Sequence, residues 1–116
     1  MGLDIYFKKN TQIGYFRKVN FLLSFFEKYG LNVLEQTPLV IKKEWAEELL
    51  DRCCKVLEDH DKAPELLPTS GGLFFADMPY DESYFYDVKQ VKEYIEDRLL
   101  KEFDDLYGVI SFEILY

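Results

Sequence analysis

The chain has 116 residues, of which 48% are apolar and 31% charged, and its ten Phe, nine Tyr and one Trp raise the aromatic share to 17%. Such a balance fits one folded domain over residues 1–116 and excludes disordered and collagen-like chains. Fourteen basic against 22 acidic residues leave a net charge of −8, which argues against direct electrostatic binding to nucleic acid.

The strand-like start places Leu3, Ile5 and Phe7 on one face and Asp4 and Tyr6 on the other, a half-buried strand over residues 3–7. Residues 8–14 read as a connection with the turn residues Asn10, Thr11 and Gly14. Phe16, Val19, Leu22, Leu23, Phe26 and Tyr29 then recur at three- and four-residue spacing, which predicts a helix over 15–29 that stops at Gly30. Residues 31–43 read as extended, with a short strand at 39–41. A second helix is expected over 43–59, with Trp45, Ala46, Leu49, Leu50, Cys53, Val56 and Leu57 as its apolar stripe. After a loop through Pro68, residues 72–76 read as a strand entered through Gly71-Gly72.

Asp81 or Ser83 can cap a third helix, whose stripe Val88, Val91, Ile95, Leu99, Phe103 carries it to about 102. Residues 109–116 form a closing strand rich in β-branched and aromatic side chains. The expected fold is α+β: a small mixed sheet of three or four strands packed against three helices. Apolar runs of a few residues fall far short of the roughly 20 a membrane-spanning helix needs, and no apolar run follows a basic start as in a secretory leader. The expectation is a cytoplasmic protein.

Charge is unevenly placed: residues 1–43 hold seven Lys/Arg and three Asp/Glu, residues 44–116 seven and nineteen. Such a distribution fits solvated helix faces, or an acidic face made for a basic partner surface. Cys53 and Cys54, the only cysteines, are adjacent. Neighbouring cysteines rarely bridge, and with no Cys/His spacing suited to zinc they read as reduced helix residues. His60, the single histidine, lies in the acidic run Glu58-Asp59-His60-Asp61 and reads as an exposed helix end. No metal, cofactor or catalytic residue is expected, and the chain reads as a non-enzyme.

Three segments carry a resemblance. The start Gly2-Leu3-Asp4-Ile5-Tyr6 is followed by Tyr15-Phe16-Arg17-Lys18-Val19-Asn20, then by Leu67-Pro68-Thr69-Ser70-Gly71-Gly72-Leu73-Phe74-Phe75 with Tyr80-Asp81-Glu82 beyond it. In order and over nearly the whole chain, this resembles a family of small phage- and prophage-encoded proteins. Its members open MGLDMY and carry YWRKAN-like and LPTxxGFFFG-like segments. Phe16 replaces the family's Trp, and Val19 its Ala. The resemblance implies a mobile-element origin, hence a bacterial host cell, and lends no reaction.

Two binding readings follow. On the expected first helix, Arg17, Asn20 and Ser24 share a face; Arg17 there either pairs with Asp4 or Asp81, or meets an anion through its guanidinium. Thr69, Ser70, Gly71 and Gly72 can form an anion-binding nest beside it or serve as a tight turn. Alternatively, Tyr84 and Tyr86 anchor a protein interface rimmed by Glu93 and Asp97 on the third helix. The second reading makes the chain a monomer or homodimer that binds a host protein. A nucleic-acid-binding nuclease of a host defence system would suit it, the carboxylates standing in for phosphates as in anti-CRISPR-like inhibitors. The first makes it a sequestering protein for a small nucleotide-like anion.

Overall fold

The computed structural model describes residues 2–69, 79–104 and 108–116. Alternation at the start does give a strand, β1 (Asp4–Lys9), with Ile5, Phe7 and Lys9 buried and the residues between them half-buried. The chain then reverses at Asn10, which takes a left-handed φ of 67°, a conformation that asparagine tolerates better than most residues. It returns as β2 (Thr11–Arg17), pairing antiparallel with β1.

This hairpin corrects the expected connection at 8–14 and the expected helix start at 15. Gly14 in mid-segment disfavours helix, while Tyr15 and Phe16 suit a pleated surface. The ladder to β1 then supplies the hydrogen bonds that a helix would otherwise have made. Lys18, at φ 61°, breaks the strand, and α1 covers only Phe21–Glu27, started by the Asn20 carbonyl, which accepts from the Leu23 amide at 3.0 Å. The helical spacing from Phe16 to Tyr29 thus spans two elements whose apolar residues happen to be in phase.

Next come β3 (Leu39–Ile41), α2 (Lys43–Glu58), a 3₁₀ turn (His60–Lys62) and α3 (Ala63–Leu66). α4 (Glu82–Tyr94) begins at Asp81, whose carboxylate accepts from the Tyr84 amide at 3.1 Å. It runs through a π-helical turn (Ile95–Leu99) into α5 (Leu100–Phe103), keeping Val88, Val91, Ile95 and Leu99 buried. The chain closes with β4 (Ile110–Leu115). The expected strand at 72–76 lies outside the described residues.

The four strands lie in the order β2-β1-β4-β3, every pair antiparallel rather than mixed. The last strand in the chain is therefore interior, pairing Ile114 with Ile5 and Phe112 with Phe7 on one side, and Ile110 with Ile41 on the other. Helices cover one face of the sheet. Between them and the sheet, Leu3, Ile5, Phe7, Ile110, Phe112 and Ile114 meet Val19, Leu22, Leu23, Leu49, Cys53, Val88, Val91 and Ile95, all buried. The centre is aromatic, with the Phe112 ring 4.4 Å from Phe26 and 5.4 Å from Phe7. Among the described residues one charge enters this layer: Lys9 is buried and its ammonium donates to the Glu102 carbonyl at 2.6 Å, tying the end of β1 to α5. Among the described residues no helix is long and apolar enough to cross a membrane.

Candidate functional site

The hairpin relocates the Arg17 cluster. Arg17 ends the edge strand β2 with its Cα opposite Asp4, whose carboxylate accepts from the Tyr15 hydroxyl. It is exposed on the sheet, not on a helix, so it shares no helix face with Asn20 and Ser24. Asn20 is only 4% exposed and lines a cleft of about 110 Å³ with Lys18, Phe21, Asp81, Ser83 and Asp87. Thr69 takes a different partner, its amide donating to the Tyr80 hydroxyl at 3.3 Å. Ser70, Gly71 and Gly72 lie outside the described residues.

The cleft is small beside the roughly 300–1,000 Å³ of ordinary ligand pockets. Its polar lining holds two carboxylates, and burial followed by the charge of Asp81 pushes the Asp87 carboxyl above its usual range. An anion entering there would meet the carboxyls of Asp81 and Asp87 as well as the Lys18 ammonium, so acidic groups outnumber basic ones around it. The surroundings of Asn20 are thus poorly suited to a phosphate.

The tyrosines of α4 divide sharply. Tyr84 is 5% exposed, its ring 5.6 Å from Phe21 and its hydroxyl donating to the Leu67 carbonyl at 2.7 Å. It is a core residue that ties α4 to the segment after α3, which corrects its expected place in an interface. Tyr86 is the reverse, at 62% exposed. Three and seven residues on from it, Lys89 and Glu93 share its helix face, and Asp97 extends the row; all are exposed. Neither Glu93 nor Asp97 makes an ion pair among the described residues, whereas Glu96 takes Lys92 at 2.9 Å and Glu102 takes Arg98 at 3.0 Å. α2 packs alongside α4 and turns Glu44, Glu47, Asp51 and Glu58 outward, with only Asp51 neutralised, by Lys55 at 2.9 Å. The two helices together present a carboxylate-rich surface with one large exposed aromatic.

Other chemistry is not assembled. His60 is exposed and stacks flat on Phe85, centroids 3.7 Å apart. Cys53 is a free thiol whose burial pushes its pKa far up, which makes it inert. Among the described residues no group of three His, Cys, Asp or Glu is placed to hold a metal ion. Comparisons with family models, curated proteins and solved structures yield no match to this chain.

What sequence reasoning missed is the second face of the sheet, because it depends on β2. The available signal was Asn10, a left-handed-tolerant residue set between two runs able to pair as strands.

Proposed function

We propose that the chain is a non-enzymatic accessory protein of the phage type that binds a basic host protein through the outer surface of α2 and α4. The observation that carries this reading is Tyr86, 62% exposed on a helix face it shares with Lys89, Glu93 and Asp97, the two acids making no ion pair among the described residues. Exposed aromatics are the residues that anchor interfaces, while surrounding charges steer the encounter. A surface of this sign suits the nucleic-acid-binding face of a nuclease, the carboxylates lying where phosphates would lie. The setting is the cytoplasm of the bacterial host. The anion-sequestering alternative is disfavoured by Arg17 lying away from Asn20 on the edge strand, and by Asp81 and Asp87 outnumbering Lys18 around Asn20.

Host protein captured from lysate by the tagged chain gives the partner for a kinetic test. Glu93→Lys with Asp97→Lys should slow association about tenfold at low salt and much less at high salt, because exposed charges are screened over roughly 8 Å at physiological ionic strength. Tyr86→Ala should instead speed dissociation by about tenfold or more. Silent acidic reversals, with binding lost on Arg17→Ala in a protein of unchanged melting temperature, would overturn the interface.

A further inference from the structure

A second cavity, of about 290 Å³, opens where two connections leave the same end of the sheet. The β3–β4 ladder ends there at the pair Ile41–Ile110. On one side the chain enters α2 through Lys42 and Lys43; on the other, α5 closes with Glu102 and Phe103 and Val109 leads into β4. All of these line the groove, whose volume comes close to the roughly 300 Å³ at which ordinary ligand pockets begin. Val40 and Val109, 54% and 66% exposed, both face it, with Phe103 half-buried. Exposed apolar side chains scattered singly need no explanation, but two gathered in one concavity mark a place for something apolar.

Charge decides the rest of the ligand. Two ammonium groups and one carboxylate line the groove, and the carboxylate is already neutralised: Glu102 takes Arg98 at 3.0 Å and Lys9 at 3.6 Å. Lys42 makes no ion pair among the described residues; its ammonium lies 5.7 Å from the centre of the Trp45 ring. Lys43 holds Asp104 at 3.1 Å, but both side chains are exposed, so that pair is weak and an entering anion can share the lysine. Glu44 and Glu47 act on Lys43 from α2 without lining the groove. One full positive charge beside apolar walls suits one negative charge on an apolar body. A phosphate monoester, with nearly two charges, would need both lysines and would meet Asp104 as well.

We propose that this groove binds a small aliphatic carboxylate, its chain against Val40, Phe103 and Val109 and its headgroup on Lys42. A groove of this volume takes one short chain; a helix of another protein, roughly 10 Å across, is too wide for it. The ligand differs from a nucleotide-like anion, and the place differs from the cleft at Asn20, where carboxyls outnumber the one ammonium. None of the lining comes from α4, so the proposal does not rest on Tyr86 or on its partner.

Octanoate is the probe, followed by the amide NMR shifts of the full chain. It should bind with a Kd of about 0.1–1 mM, as expected of a small ligand in an open groove. Amides of residues 40–43 and 109–110 should move while those around Asn20 stay in place. Acetate has the charge without the chain, and octan-1-ol the chain without the charge; each should bind about tenfold more weakly or worse. Lys42→Gln should weaken octanoate binding about tenfold and Val109→Ser about fivefold, and because both side chains are exposed the melting temperature should hardly change. Should either variant unfold, the comparison of the three probes on the native chain decides. Octan-1-ol binding as tightly as octanoate, an unchanged affinity in folded Lys42→Gln, shifts confined to another part of the chain, or a leucine-ended peptide that outbinds octanoate would overturn the proposal.

Discussion

At Gly14 the backbone of β2 leaves room for nothing but hydrogen, since a Cβ there would overlap the hydroxyl and ring of Tyr94. Tyr94 is itself wedged between Phe7 and Phe16, centroids 5.3 and 5.4 Å away, and cannot readily swing aside. Gly14→Ala should therefore cost about 1–3 kcal/mol, as overpacking does. The Tyr94 hydroxyl is buried and has no hydrogen-bond partner among the described residues. Removing such a group forfeits no bond, so Tyr94→Phe should leave the melting temperature unchanged or raise it. Thermal melts of both variants check the pair, and a stabilised Gly14→Ala would contradict this packing.

Glu48 is the other informative residue. Burial pushes its carboxyl up, but hydrogen bonds from Lys28 and Tyr29, with the charges of Lys28 and Arg52, outweigh burial and hold it below the usual range. A lowered carboxyl contributes stability that is present above its unfolded pKa and lost as pH falls through its folded pKa. Glu48→Gln should thus flatten the acid side of the stability profile, with the variant closest to the native protein at the lowest pH. Denaturant midpoints measured between about pH 3 and pH 7, a window that brackets the ordinary carboxylate range, test the sign.

At the scale of the element, α4 owes its starting point to two side chains. Asp81 caps the helix, and the Tyr84 hydroxyl reaches the Leu67 carbonyl across 17 positions of sequence. Tyr84→Phe would strand that carbonyl and cost about 1 kcal/mol, a fall in melting temperature of about 4 °C for a domain near this size. Because Tyr84 is buried, that change should leave partner association untouched, and the contrast with Tyr86→Ala separates core from surface on one helix. A binding defect in Tyr84→Phe at unchanged stability would show that the assignment of the two tyrosines is reversed.

For the whole molecule, stability concentrates where β1, β4 and α1 meet. Phe112 contacts both Phe7 and Phe26 there and is fully buried. Phe112→Ala should cost about 3–5 kcal/mol, a large part of the roughly 5–15 kcal/mol usual for a domain, and urea unfolding measures it directly. Since α2 and α4 rest on that layer, loss of Phe112 should also weaken any binding that needs both helices in place.

The sequence by itself determined the elements whose apolar residues are spaced for one purpose. The stripe of α2 from Ala46 to Val56, the long stripe of α4, the alternation in β1 and the β-branched and aromatic run of β4 are written locally, because each pattern suits one kind of element. It also determined that acid gathers in the later two-thirds of the chain. Only the tertiary structure decided that residues 11–17 pair with β1 instead of winding into α1, since a strand is stabilised by hydrogen bonds to a partner that local spacing cannot register. The same long-range pairing took Arg17 away from Asn20 and set residues as distant as Tyr6 and Glu113 side by side on the sheet. Which of two tyrosines two positions apart points inward was likewise settled by what lay within reach, the ring of Phe21 and the carbonyl of Leu67.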